Sequence, residues 1–227
     1  SLRHTRLIWE SGSCVRIVTM AVMNAVPAKR KPAITGLLLA AGASTRLGQP
    51  KQLLMYQGQT LLSRAVSVMQ FHCKTPVIVM LGAHAGVVQS ALTGQSVKVV
   101  HNSKWQQGMA TSICEGLVHV PAGTDGILIM LCDQPLITES DIGKLIDAWM
   151  TAPDQIVATG YSEDEFGVPA IFPAAAFPAL SALQGDQGAR TVIAAAQARH
   201  VVPLPAARLD IDTPADVATL RNHSSVN

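Results

Sequence analysis

Apolar and polar positions follow two rhythms along this chain. Ile34 to Ala40 is a nearly unbroken apolar run that stops at Ala41-Gly42, and Gly126 to Cys132 is its equal later on. Val77 to Leu81, opened by Pro76, is a shorter version. Such runs, bounded by glycine or proline, are what strands buried on both faces look like. Val97 to Val100, Ile156 to Thr159 and Val168 to Phe172 predict further strands. Between them the spacing turns helical. Leu62, Ala65, Val66 and Met69 share one face of Leu61 to Phe71, and Ile113, Leu117 and Val118 do so in Thr111 to Val118. Ala85 to Leu92 and Thr191 to Ala198 predict short helices. Thr138, with Asp141 three residues on, is the N-cap of a helix through Met150. Thr213-Pro214 starts the last helix, with proline in the first turn. This alternation predicts an α/β fold: a doubly wound, mostly parallel sheet with helices on both faces. Ligands of such sheets lie beyond the carboxyl ends of the strands.

Composition narrows the picture. The chain has 227 residues, 48% of them apolar, enough for one α/β domain with a sizeable core. Seventeen Lys and Arg against fifteen Asp and Glu leave a net charge of +2 and no basic stripe, so no nucleic-acid partner is expected. The apolar runs fall short of the ~20 residues of a membrane helix, so no membrane partner is expected either. Cys14, Cys73, Cys114 and Cys132 form no CxxC pair, and they suggest a reduced, cytoplasmic protein. The Met and Trp residues are expected to fill the core. Residues 1–32 differ from the body. Arg16 before a short apolar patch and Ala25-Val26-Pro27-Ala28 could read as a secretory signal, but Asn24 interrupts the patch. An N-terminal extension, with Met20 or Met23 as a natural start, fits better. The expected domain is 33–222, with a C-terminal tail at 223–227.

The candidate chemistry follows the first and fourth strands. The first strand ends in Leu39-Ala40-Ala41-Gly42, and the small residues Gly42, Ala43 and Ser44 lead on to Arg46 and Lys51. Small residues let backbone N–H groups approach a ligand, and two cations beside such a nest suit phosphates. A tight turn with two solvated cations is the alternative. GxxxxGK[ST] and GxGxxG are both absent. The fourth strand ends in Cys132-Asp133-Gln134-Pro135. A carboxylate there, near a phosphate loop, suits Mg²⁺, which takes few protein carboxylates and completes its shell with water and phosphate oxygens. An Asx-turn before Pro135 is the alternative.

The pattern LAAGxSxRxGxxK from Leu39 to Lys51, followed about eighty residues later by a strand-final CDQP, resembles the nucleotidyltransferases of the molybdopterin-guanine-dinucleotide synthase superfamily. Within it the chain resembles the molybdenum cofactor cytidylyltransferases, the MocA-like branch, because Ala41-Gly42 stands where the guanylyltransferases usually carry Gly-Gly. The resemblance spans residues 34–222 and implies a Rossmann-like nucleotidyltransferase fold. It also implies an Mg²⁺-dependent transfer of a cytidylyl group from CTP to the terminal phosphate of molybdenum-molybdopterin, with a molybdenum hydroxylase as possible recipient of the product. It makes Arg46, Lys51 and Asp133 catalytic, Asp133 a metal ligand, and Leu39 to Ser44 the wrap around the nucleotide. In His101 to Leu117 it places Gly108 and Ser112 against base and ribose. In Gly185-Asp186-Gln187-Gly188-Ala189-Arg190 it implies an acceptor loop, with Gly185, Asp186, Gly188 and Arg190 in contact and Arg190 on the acceptor phosphate. In Asp210 to Val217 it makes Asp212 the second metal ligand, against the alternative of helix capping. Gly167 and Pro169 are expected near the acceptor pocket, and His84 to be a bystander. Two rivals remain: a nucleotidyltransferase for a sugar or polyol phosphate, and a cofactor chaperone without turnover. An NAD-linked oxidoreductase lacks its glycine fingerprint.

Overall fold

The computed structural model describes residues 32–224. The expectations placed on the N-terminal extension, on Cys14 and on the last three residues lie outside the described residues. The chain runs β1 (Ile34–Ala40), β2 (Met55–Tyr56), β3 (Gln59–Thr60), α1 (Leu61–Gln70), β4 (Val77–Leu81), α2 (Ala85–Val88), β5 (Val97–His101) and α3 (Met109–Val118). It continues through β6 (Gly126–Leu131), α4 (Glu139–Thr151), β7 (Ile156–Gly160), β8 (Phe166–Pro173), α5 (Phe177–Ser181), α6 (Ala189–Ala195), β9 (Arg199–Pro203) and α7 (Pro214–Ser224).

Seven strands form one sheet in the order β5-β4-β1-β6-β8-β7-β9, and β2 pairs with β3 in a small hairpin. Within the seven-stranded sheet, pairings are parallel except those of β8, which runs antiparallel to both β6 and β7. The expected α/β sheet, mostly parallel and flanked by helices, is what the chain builds. The carboxyl ends of β1, β4 and β6 lie side by side at one edge, which brings the two motif stretches together.

Strand β1 explains the continuous apolar runs. Leu38 and Ala40 pack with Leu62, Val66 and Met69 of α1 and Leu145 and Trp149 of α4. Leu37 and Leu39 face the other way, with Ile113 of α3 and Val192 and Ile193 of α6. A strand with helices on both faces has no solvent side, so it cannot alternate. Gly116 lets α3 lie directly on β1, since a β-carbon there would stand 2.5 Å from a Leu37 methyl. Helix α4 starts as its sequence predicts: Thr138 Oγ1 accepts the Asp141 N–H, and the Asp141 carboxylate accepts the Thr138 N–H at 3.1 Å. A third cluster, Tyr56, Leu61, Ile211 and Leu220, fastens the segment before α7 to the hairpin. That fastening carries Asp212 to the active edge.

Several features depart from expectation. Ala85 to Leu92 is α2 followed by a 3-10 turn, and the helix expected at Thr191 to Ala198 is shifted forward as α6. The strand β9 and the helix α5 stand where no element is expected. Not all Met and Trp residues are core: Trp149 is fully buried, but Met55 is 64% exposed and Trp105 lines a cavity.

Candidate active site

The site is built from three segments that leave the sheet at one edge. The first is the loop after β1. Gln52 is fully buried and locks this loop, its side-chain amide donating to the carbonyls of Ala40 and Gly42, each at 2.9 Å. Ser44, at φ 54°, turns the chain so that its carbonyl accepts the N–H groups of Leu47 and Gly48, and its Oγ accepts the Lys51 N–H at 3.2 Å. The N–H groups of Ala43, Ser44 and Thr45 have no partner among the described residues. A β-carbon on Gly42 would meet nothing, so open space lies in front of the loop.

The second segment follows β6. Asp133 is buried, and its Oδ2 accepts from Lys51 Nζ. Its Oδ1 is buried with no hydrogen-bond partner. The third segment precedes α7. The Ile211 N–H donates to the Asp133 carbonyl at 3.0 Å, and this backbone link sets Asp212 beside Asp133. Asp212 Oδ1 accepts from Lys51 Nζ at 2.7 Å, and its Oδ2 from Arg46 Nη2 at 2.6 Å. Helix capping falls to other groups: the Asp216 carboxylate accepts the N–H groups of Asp212 and Thr213, and Thr213 Oγ1 accepts that of Asp216. The side chain of Asp212 is thereby left for the site.

The electrostatics follow from this packing. Burial works against the Lys51 charge, but Asp133 and then Asp212 outweigh it and hold the ammonium above the usual lysine range. Asp210 has open surface yet is crowded on its inner side. That crowding, and then the charges of Asp133 and Asp212, push its carboxyl up to about 7. Burial, reinforced by Asp133, pushes the Cys132 thiol up, so it stays protonated near neutral pH. An unpartnered buried carboxylate oxygen, with a second carboxylate on the same ammonium, fits a divalent cation that takes few protein ligands. Among the described residues no group of three or more His, Cys, Asp or Glu is placed as a closed metal cage.

A cavity of about 470 Å³ opens beside this cluster. Leu39, Ala40, Ala41, Gly42, Ala43, Lys51 and Asp133 line one part of it. Gly108, Ser112, Trp105 and Gln106, from the start of α3 and the turn before it, line another, together with Asp186. A second cavity of about 430 Å³ adjoins it across Ala43 and Trp105, lined by Ser44, Thr45 and His84. His84 therefore borders the edge, with a left-handed backbone at φ 56°. Gly185 and Gly188 sit against the start of α3. Arg190 lies over the Phe166 ring at 5.6 Å, outside the residues that line the main cavity.

Sequence reasoning missed three groups. Gln52 follows the motif lysine and Gln134 the motif aspartate. Gln134 is buried and donates to the carbonyls of Val168 and Ala207, each at 3.0 Å, tying β8 and the turn before Asp210 to the end of β6. The signal was a glutamine in an otherwise apolar or charged motif, where a buried amide must find partners. Asp210 opens the Asp210 to Val217 stretch, in which a role is expected only for Asp212.

A buried cation between two carboxylates, beside a loop whose N–H groups lack partners among the described residues, suits an anionic phosphate ligand at the carboxyl edge of the sheet. The chain belongs to the family described as the MobA-like NTP transferase domain, whose model matches residues 36–201. It is 35% identical over 171 residues to the nicotine blue oxidoreductase of Paenarthrobacter nicotinovorans, covering 71% of this chain and 82% of that one. It is 29% identical over 201 residues to a probable molybdenum cofactor guanylyltransferase of Rhodopirellula baltica, covering 86% of this chain and 95% of that one. The crystal structure of Rv0371c from Mycobacterium tuberculosis superposes with a TM-score of 0.73 at 30% identity, over 84% of this chain and 98% of that one. A further structure of that protein is a complex with manganese, with a TM-score of 0.70 at 29% identity, over 83% of this chain and 97% of that one. Among the described residues no helix is long and apolar enough to cross a membrane.

Proposed function

We propose that the protein transfers a cytidylyl group from CTP to the terminal phosphate of molybdenum-molybdopterin, giving the cytosine dinucleotide cofactor and pyrophosphate. The observation that carries this reading is Lys51, held between Asp133 and Asp212 at the mouth of the cavity. The relative named as a molybdenum cofactor guanylyltransferase supports the acceptor. Ala41 supports the smaller base by resemblance: it is buried, lines the cavity, and carries a methyl where the guanylyltransferases usually have glycine. One methyl is worth about 1–3 kcal/mol of discrimination, so Ala41 shares the task with other groups.

In this reading an oxygen of the acceptor phosphate forms a bond to the α-phosphorus of CTP. The bond from that phosphorus to the oxygen bridging to the β-phosphate breaks, and pyrophosphate leaves with the electron pair. The acceptor phosphate is already ionised near neutral pH, so no general base is needed. The barrier is repulsion and alignment of anions. Lys51 and Arg46 neutralise charge on the phosphates, and the free N–H groups of Ala43 to Thr45 receive phosphate oxygens. Asp133 and Asp212 would hold Mg²⁺, which when bound draws the reacting phosphates together and offsets their charge. The manganese complex of the structural relative supports a divalent cation at this fold.

The oxidoreductase named among the relatives offers a different reading. A buried ammonium shared by two carboxylates suits anionic phosphates better than redox chemistry. Purified protein, incubated with molybdenum cofactor, Mg²⁺ and CTP, GTP or ATP in parallel, should form product with CTP. Product mainly with GTP would keep the transfer reaction and overturn the base. Cofactor binding without product from any nucleotide would favour a chaperone, and product with a sugar or polyol phosphate alone would overturn the acceptor.

A further inference from the structure

The loop between α5 and α6 resembles an acceptor-binding element in sequence, yet its residue Asp186 lines the main cavity. Gly185, at φ 56°, turns the chain so that its carbonyl accepts the Ala110 N–H at 3.1 Å, satisfying a free donor in the first turn of α3. Gly108, at φ 107°, makes room for it, because a β-carbon there would stand 2.2 Å from the Gly185 oxygen. Gln184 and Gln187 close the loop: the Gln187 N–H donates to the Gln184 carbonyl, and Gln187 Oε1 accepts the Gln184 N–H at 3.0 Å. This interlock sets the next residue, Asp186, in the cavity wall with Gln106, Met109 and Ser112. Its carboxylate has no hydrogen bond or ion pair among the described residues. Lys51 and Asp133 mark the phosphate end of the same cavity, which leaves the α3 end to the base.

We infer that Asp186 reads the nucleotide base, accepting a hydrogen bond from the exocyclic N4 amine of cytosine. The inference rests on the reading of this cavity as a nucleoside triphosphate site. A carboxylate is acceptor-only and repels phosphates, so a group with N–H donors is its fitting partner. Aspartate accepting from cytosine N4 is an established pairing. Uracil presents a carbonyl oxygen at the same place, setting acceptor against acceptor. Two groups then divide the selection: Ala41 narrows the cavity against purines, and Asp186 excludes the other pyrimidine.

The test compares wild type with Asp186→Asn and Asp186→Ala. Binding of CTP and UTP is measured by equilibrium dialysis with Mg²⁺, and kcat/KM for each nucleotide with molybdenum cofactor as acceptor. The asparagine amide can donate to the uracil oxygen, so Asp186→Asn should raise the UTP-to-CTP ratio about tenfold or more. Asp186→Ala should weaken CTP without a gain for UTP. A ratio unchanged in both variants would overturn the proposal, even if thermal stability falls, since that pattern marks a residue acting only at the helix end. A shifted binding ratio without transfer to molybdenum cofactor would uphold Asp186 and overturn the acceptor. No binding of either nucleotide by the wild type would overturn both.

Discussion

The two ends of the main cavity are built by opposite means. At the phosphate end, polar groups are buried and tied to one another. Lys51, with its side chain only 13% exposed, bonds two carboxylates, Gln52 holds the start of the β1 loop, and Gln134 bonds two separate carbonyls. At the α3 end the loop is held by close glycine packing and one backbone bond from Ala110 to Gly185, and its polar side chains are exposed. On the proposed function, the difference separates chemistry from recognition. A centre that must offset phosphate charge gains most where water is excluded and donors are pre-aimed. A contact that selects a base needs one well-placed acceptor, and its neighbours are free to vary.

Variants at the two ends should therefore fail differently. The largest effect is expected from Asp133→Asn, which removes the carboxylate charge but keeps its size. Turnover should fall ~10²-fold or more, with circular dichroism unchanged, and near wild-type turnover would remove Asp133 from the metal site. Lys51→Met should lower kcat/KM for the nucleotide by about tenfold or more. An unchanged kcat/KM would show that Lys51 is only a structural partner of the two acids. Gln134→Leu leaves two buried carbonyls without donors. Urea unfolding should show a loss of about 2 kcal/mol, and turnover should drop because Asp133 and the segment leading to Asp212 lose their common anchor. A variant as stable as wild type would break the claim that this end depends on mutual satisfaction.

The smallest effect concerns pH. The Asp210 carboxyl is raised from 3.8 to about 7, so between those values the folded protein holds a proton that the unfolded chain has released. Stability from this group is full below the lower value and lost as pH rises through the upper one. Solvent reaching the group keeps the effect small. Asp210→Asn should therefore unfold at a higher temperature than wild type at pH 8, with the gap narrowing at pH 5. A gap that widens on acidification would reverse the assigned cause.

Much of this was legible in the chain. Strands β1 and β4 were bounded correctly because each is apolar on both faces, and the start of α4 because Thr138 and Asp141 bond each other. The motif residues Arg46, Lys51, Asp133 and Asp212 do meet at one edge, although Lys51 and Asp212 are 161 positions apart. What stayed hidden depends on pairing across the fold. Strand β9 is an edge strand, exposed except at Val202, so Arg199 and His200 masked it. The reversal of β8 leaves no mark in an apolar run, since a strand buried on both faces reads alike in either direction. The amides of Gln52 and Gln134 act on distant carbonyls, and no local pattern announces such partners. The contact of Gly108 with Gly185 is likewise made only when two loops meet.

The most direct test follows the phosphorus atoms. CTP labelled at either the α- or the γ-phosphate is incubated with the protein, Mg²⁺ and molybdenum cofactor, and the products are separated. Label from the α-phosphate should appear in the cytosine dinucleotide cofactor, and label from the γ-phosphate only in pyrophosphate. Transfer of the γ-label to the cofactor, or consumption of the cofactor with both labels left in CTP, would contradict nucleotidyl transfer at the Lys51–Asp133–Asp212 centre.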